Sequence, residues 1–489
     1  MDTRLFIDFG STFTKVVAFD LESEQLLGRV QVPSTVETDI SVGLEEAFEL
    51  LAQEVPFGQE ERHRAVACSS AAGGLRVVCV GLVPEYTTEA GRRAALGAGA
   101  KIVGTYSYEL SAAEVKEIED LAPDIVLLTG GTDGGNKRVI LHNAALLARA
   151  GAGVTNVIVA GNKGAYDEVA AIFAGSSKQV IFTANVMPEI GVLGVEAANH
   201  AIRDLFISRI TEAKGINRVR GLISEVSMPT PAAVLEAAKL LADGLPGQPG
   251  LGELLLIDVG GATTDVYSVA KGLPAGGLVR MIGLPEPYAK RTVEGDLGLY
   301  HNLDTLVALA EREAQAGTEL LPRPGADAPS ALLAAQVEML GSRNGVPQGG
   351  AGAACQLFLA RAAVRSAVDR HVGSLRPIVT PDGEVMLQKG KDLTKLRWVV
   401  GSGGPICFST DPVTVLKGAV FEPARPLLLK PKSPTFLLDR DYVLFALGLL
   451  AQRNQGKALR LMRKHVLPIE HERSALEPVT VGGSDDEGS

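Results

Sequence analysis

Residues 6–14 read Phe6-Ile7-Asp8-Phe9-Gly10-Ser11-Thr12-Phe13-Thr14, and residues 256–264 read Leu256-Ile257-Asp258-Val259-Gly260-Gly261-Ala262-Thr263-Thr264. Both follow apolar-apolar-Asp-apolar-Gly with a Thr four positions after that Gly, offset by 250 residues (258 − 8). In each, a strand ends in Asp, turns tightly at glycine and passes into a second strand. A pattern this short also arises by chance, but its place at the head of two similar meanders makes duplication the better reading. Around the first copy, residues 5–9, 15–20 and 25–32 read as three short strands, with a helix near 42–52. Around the second, 253–259 and 264–269 read as strands, with alanine-rich helices near 304–315 and 353–372.

Between the copies the pattern changes. From 64 to about 183, short β-rich runs alternate with amphipathic stretches, which is βα alternation and implies a mostly parallel sheet. Helix-like segments follow at 195–210 and 231–242, before a turn-rich stretch at 243–250 breaks the chain. This divides it into a first lobe at 1–245, containing an inserted α/β unit at about 75–215, and a second lobe at 246–470. Residues 322–352 read as a loop with one short helix, 442–451 and 457–465 as helices, and 471–489 as an acidic, disordered tail.

Composition narrows the function classes. The 489 residues suit two to four domains at roughly 100–200 residues each. Lys plus Arg is 47 against 57 Asp plus Glu, a net charge of −10, which argues against a general nucleic-acid-binding surface. Cys68, Cys79, Cys355 and Cys407 are scattered without a CxxC, so free thiols in a reducing compartment are expected, and Cys/His zinc spacing is absent. The N-terminus reaches an acidic residue after three apolar ones, unlike a signal peptide. No apolar run approaches the ~18–20 residues of a membrane span. A cytoplasmic protein with neither membrane nor nucleic-acid partner is expected.

The two turns carry the chemistry. Glycine lets backbone approach a ligand, and N–H groups with the hydroxyls of Ser11, Thr12 and Thr14 can cradle phosphate oxygens, with Lys15 reaching a terminal phosphate. A carboxylate cannot bind phosphate directly, so Asp8 belongs there through Mg²⁺ and its waters. Gly260, Gly261, Thr263 and Thr264 repeat the arrangement around Asp258. Either turn alone also reads as an ordinary hairpin; together they can hold one polyphosphate and its metal between two carboxylates. Neither is a Walker A sequence, and no G-x-G-x-x-G opens a helix. A third segment, Gly401-Ser402-Gly403-Gly404, ends a strand in glycines where a flat adenine and ribose can lie against backbone.

These segments in this order resemble the actin-like ATPase superfamily of sugar kinases, actin and heat-shock chaperones. Asp8 to Lys15 has actin-like spacing, 258–265 looks like the chaperones' second phosphate loop, and 399–405 looks like their adenosine loop. Met228-Pro-Thr-Pro231 is similar to their connecting helix, with Met228 standing where those chaperones carry Glu. The resemblance implies a water-orienting carboxylate from elsewhere or slow hydrolysis, and Glu225 is the nearest candidate. It implies the fold as well: α/β, with duplicated actin-like, ribonuclease H-like domains and an inserted parallel unit.

A closer resemblance is to the accessory proteins called GlmL or MutL of the glutamate mutase system, which are unrelated to the mismatch-repair protein sharing the second name. It is carried by residues 7–15, by Thr129-Gly-Gly-Thr-Asp-Gly-Gly135 after an apolar run, by Thr183-Ala-Asn-Val-Met-Pro188, by 228–231, by Arg291-Thr-Val-Glu-Gly-Asp-Leu-Gly298 and by 400–405. It implies an ATP- and Mg²⁺-dependent reactivating chaperone for an adenosylcobalamin-dependent mutase, whose subunits are the partners. The chain lacks Asp-x-His-x-x-Gly, the base-off cobalamin signature, so direct cobalamin ligation through such a histidine is not expected.

Rival readings have their own marks. A small-molecule kinase on the same fold needs a general base near the terminal phosphate, for which Asp296, beside Glu294, is the candidate. An assembly scaffold of the actin type remains open. An iron–sulfur activase is disfavoured by the dispersed cysteines. The 129–135 turn reads either as an anion-accepting helix start or as a structural βα turn.

Overall fold

The computed structural model describes residues 1–36, 38–70, 75–210, 216–274, 276, 279–315, 347, 350–381 and 383–469. The expected loop and short helix of 322–352, save 347 and 350–352, and the expected tail lie outside them.

Two of its sheets share one strand order. β1 (Thr3–Phe9), β2 (Phe13–Asp20) and β3 (Gln25–Pro33) form an antiparallel meander. On the far side of β1, β4 (Val66–Ser69) runs parallel to it, and β10 (Glu225–Pro229) runs parallel to β4. The second sheet repeats this. β13 (Leu254–Val259), β14 (Thr264–Val269) and β16 (Ala289–Glu294) form the meander, while β19 (Trp398–Ser402) and β20 (Thr435–Asp439) run parallel beyond β13. The matching orders, β10-β4-β1-β2-β3 and β20-β19-β13-β14-β16, make the molecule a duplicated actin-like, ribonuclease H-like α/β fold. β21 (Val466–Pro468) adds one antiparallel edge strand to the second copy.

Burial on both faces explains the long apolar runs of the central strands. Leu5, Ile7 and Phe9 of β1 pack under helix Ile40–Ala52, through Leu44, Phe48 and Leu51. Phe6 points the other way, into a core between the two sheets that is filled by helices Thr230–Asp243 and Leu444–Ala451. All eight residues of the second helix are buried, as an element enclosed on every side requires. The first begins with Pro231 in its opening turn, where a missing N–H costs nothing, and stops at Gly244, whose φ of 70° suits glycine. The turn-rich stretch after it closes as a minimal hairpin, β11 (Gly244–Leu245) with β12 (Gln248–Pro249).

A third sheet lies in the chain between β4 and β10. β5 (Arg76–Gly81), β6 (Lys101–Ser107), β7 (Ile125–Leu128), β8 (Asn156–Val159) and β9 (Gln179–Phe182) are all parallel, in the order β6-β5-β7-β8-β9. The β-rich run at 65–68, which opened the βα alternation in sequence, instead belongs to the first sheet as β4. A small sheet of β15 (Val279–Ile282), β17 (Ser374–Thr380) and β18 (Gly383–Lys389) completes the strands. No helix among the described residues is long and apolar enough to cross a membrane.

Candidate functional site

The register of the two meanders places the duplicated residues in equivalent positions. Asp8 pairs across the ladder with Lys15, and Asp258 with Asp265. The intervening turns close by the same bond, from Gly10 N–H to the Phe13 carbonyl at 3.0 Å and from Gly260 N–H to the Thr263 carbonyl at 2.9 Å. A Cβ on Gly10 would stand 2.5 Å from that carbonyl, so the first turn needs glycine. The N–H groups of Ser11, Thr12, Gly261 and Ala262 donate to no acceptor among the described residues. The two turns touch: Gly261 packs on the Thr12 hydroxyl, which is buried and lacks a hydrogen-bond partner. Both turns line one cavity, together with Thr230, Pro231, Asp265, Arg291, Gly404, Pro405 and Tyr442.

The carboxylates of this cavity differ. Asp8, 1% exposed, is held on both oxygens, by Lys15 Nζ at 2.7 Å and by the Thr230 hydroxyl at 2.5 Å. Lys15 Nζ also donates to the Tyr442 hydroxyl at 3.0 Å, and its ammonium form is favoured by Asp8 despite burial. Asp265 receives Arg291 at 2.6 and 2.8 Å and the Thr263 hydroxyl at 2.9 Å. Asp258 has no donor among the described residues. Enclosure, then the facing Asp265, push its carboxyl up to about 7. Behind it, buried Asp439 accepts Ser402 at 3.0 Å and caps helix Leu444–Ala451 through the N–H groups of Val443 and Leu444. Burial raises the Asp439 carboxyl to about 6.

With this geometry in hand, the MutL protein family profile matches residues 4–466. The chain belongs to the MutL protein family. A curated relative, Protein MutL of Clostridium tetanomorphum, is 42% identical over 469 residues, covering 96% of this chain and all of its own. Among solved structures, a glycerol dehydratase reactivase aligns over 92% of this chain and 100% of its own, at 11% identity and a TM-score of 0.33. A carbohydrate kinase from Novosphingobium aromaticivorans aligns over 96% of this chain and 95% of its own, at 14% and 0.29. At these scores the two structural likenesses add nothing to the topology above.

For this family member, the residues singled out in sequence fall into two groups. Asp8, Gly10, Ser11, Thr12, Lys15, Asp258, Gly260, Gly261, Thr263 and Gly404 line the cavity. Thr14 and Thr264 lie beneath their turns: Thr264 donates to the Leu297 carbonyl at 2.7 Å, and Thr14 Oγ1 is buried without a partner. Gly401 packs on Ile406 and Leu416, and Ser402 serves Asp439. Gly403, at φ 88°, sits so close to Val259 and Asp258 that no side chain fits. Of the expected adenosine loop, then, Gly404 and Pro405 reach the cavity wall, and the three residues before them support Asp258 from behind.

Two expectations are corrected, those for Glu225 and for Asp296 with Glu294. Glu225 is at the opposite end of β10 from Thr230, exposed and paired with Arg453 at 2.6 Å, so it cannot orient water in the cleft. Met228 is 4% exposed in the core between the sheets, so a carboxylate there would face apolar side chains. Glu294 and Asp296 are bound by Arg370 at 2.7 and 2.9 Å and do not line the cavity. The 129–135 turn is internally bonded, by Asn162 and Asn185 amides and by Thr129 to the Val80 and Thr87 carbonyls.

Sequence reasoning passed over Thr230, Tyr442, Asp439, Arg291 and Lys101. Thr230 stood within the quoted Met-Pro-Thr-Pro, and Leu437-Leu438-Asp439 is a third strand ending in Asp. Tyr442 left no local signal, since its hydroxyl meets Lys15 only through the packing of two lobes.

Proposed function

We propose that this chain binds Mg-ATP between its two lobes and uses closure and hydrolysis to reactivate an adenosylcobalamin-dependent mutase, of the glutamate mutase or aminomutase type. The observation that carries the nucleotide reading is the pair of matched Asp-Gly turns meeting across one cavity, with four unpaired N–H groups and an unpartnered Thr12 hydroxyl. Unpaired N–H groups in consecutive turn positions form an anion-binding concavity. The mutase is named by the family resemblance of 129–135, 183–188 and 291–298. Four buried free cysteines suit a reducing, cytoplasmic setting.

The donor set fits Mg²⁺ as a phosphate-bridged ion. No group of three or more His, Cys, Asp or Glu among the described residues forms a metal cage. Mg²⁺ in nucleotide sites rests on one or two carboxylates and completes its shell with phosphate and water. Asp258, unpartnered and hard to ionise alone, would hold the cation, with Asp8 as the second carboxylate. Bound there, Mg²⁺ supplies charge neutralisation of the phosphates. The protein's own residues do the rest: the free N–H groups bind phosphate oxygens, Gly404 and Pro405 wall the far side, and Thr230 fixes the Asp8 carboxylate. Since Glu225 and Asp296 lie outside the cleft, no spare carboxylate among the described residues is left to activate water or a substrate hydroxyl. Slow hydrolysis follows, and the kinase reading loses its base.

The deciding experiment measures ATP hydrolysis with Mg²⁺, alone and with an adenosylcobalamin mutase inactivated by turnover, while following the return of mutase activity. Recovery that requires ATP is expected. ATP binding with no recovery of any such mutase would sink the partner assignment and leave the nucleotide site standing.

A further inference from the structure

Three cations line the nucleotide cavity: Lys15, Arg291 and Lys101. Two are committed. Lys15 is shared between Asp8 and Tyr442, 2.7 and 3.0 Å away. Arg291 spends its guanidinium on Asp265 and on the carbonyls of Leu96 at 3.2 Å and Ala100 at 3.0 Å. Lys101 has no hydrogen-bond or ion-pair partner among the described residues, although its side chain is half-buried in the cavity wall. It lies against Gly295, where a Cβ would stand 2.6 Å from Nζ, so glycine there leaves the ammonium its path.

Lys101 comes from neither of the duplicated sheets. It is the first residue of β6, at the edge of the inserted parallel sheet. Gly99, two residues earlier, also lines the cavity and adopts φ 94° against Pro229, at the end of β10. The segment 96–101 is therefore the inserted unit's entry into the cleft, and Arg291 pins it there through two of its carbonyls. That clamp ties the inserted sheet to Asp265, the residue facing Asp258.

Resting on the nucleotide reading above, we propose that Lys101 meets the terminal phosphate of the bound triphosphate, and that through it the inserted sheet distinguishes triphosphate from diphosphate. An ammonium held in a half-buried wall with no hydrogen-bond or ion-pair partner among the described residues is stabilised by any anion that enters, and a phosphoryl oxygen is the anion this cavity is built to admit. Arg291 is a positioning residue in this scheme. The consequence is directional: loss of the terminal phosphate frees Lys101 and, with it, the cleft end of β6. A ligand shifts such an equilibrium only through different contacts in the two states, and Lys101 supplies the difference.

The test uses the full chain and compares binding of a non-hydrolysable ATP analogue and of ADP, each with Mg²⁺, by calorimetry. Lys101→Met is expected to weaken the analogue about tenfold, the worth of one charge-assisted hydrogen bond, and to leave ADP within about twofold. Lys101→Arg should recover most of the loss. Amide exchange supplies a second readout: the analogue, not ADP, should protect residues 101–107, and Lys101→Met should abolish the difference. Equal weakening of both nucleotides, or of neither, overturns the proposal while the nucleotide site stands. A wild-type chain that binds neither nucleotide overturns both.

Discussion

Asp258 is the cavity carboxylate that receives no donor among the described residues. Enclosure, then the facing Asp265, push its carboxyl up to about 7 in the folded chain, well above an unfolded aspartate. The folded state therefore holds the proton more tightly, and stability of the ligand-free protein falls as pH rises from about 4 to about 7. Asp258→Asn should remove that decline, raise ligand-free stability at pH 8 by about 1–2 kcal/mol, and abolish the Mg²⁺ dependence of nucleotide binding. Denaturant unfolding across pH and calorimetry with and without Mg²⁺ check both halves. A variant that keeps Mg²⁺-dependent affinity would remove Asp258 from the metal site. Met228 invites the opposite experiment. Installing the chaperones' glutamate, Met228→Glu, should not quicken hydrolysis, because the side chain would enter the core between the sheets. An uncompensated buried carboxylate should cost about 3–5 kcal/mol in denaturant unfolding; faster turnover with intact stability would show that the position does reach the cleft.

At the scale of elements, the two lobes meet through helices Thr230–Asp243 and Leu444–Ala451. Their approach is set by one residue: a Cβ on Gly448 would collide with the Ala233 carbonyl. Gly448→Ala should separate the helices and cost about 1–3 kcal/mol in denaturant unfolding. It should also weaken nucleotide binding, because each helix starts at a site residue: Thr230 begins one and donates to Asp8, and Asp439 caps the other. Unchanged stability would mean that the helices slide freely at this contact. Helix Thr230–Asp243 was legible in sequence as the helix-like run 231–242 that opens at Pro-Thr-Pro. The role of Leu444–Ala451 was not, since a helix apolar all round has no periodicity to say what it covers.

For the whole molecule, coupling between the cleft and the inserted sheet runs through Arg291. Lysine at that position can keep Asp265 but cannot also reach two carbonyls, because it lacks the guanidinium fork. Arg291→Lys should therefore leave the duplicated sheets folded while amide exchange speeds up over residues 89–101, by an amount equivalent to about 1–3 kcal/mol of lost local protection. Hydrogen exchange followed by peptide mapping measures it. Exchange raised equally everywhere would point to general destabilisation rather than a lost clamp.

The duplication, the two Asp-Gly turns and the parallel unit between them were all written locally, because strand-turn-strand patterns and βα alternation depend on neighbours in the chain. Asp8, Gly10, Asp258 and Gly260 could be named for the same reason. What the chain does with them was decided elsewhere. Lys15, expected to reach a phosphate, is drawn to Asp8 and Tyr442, which is 427 residues away. Glu225 is turned outward by the direction of β10, and Met228 is drawn inward by a core shared between two lobes. Lys101 enters the cleft only because Arg291, on β16, clamps the inserted sheet onto the second lobe. Side-chain partners across hundreds of residues are set by packing, and packing exists only in the folded molecule.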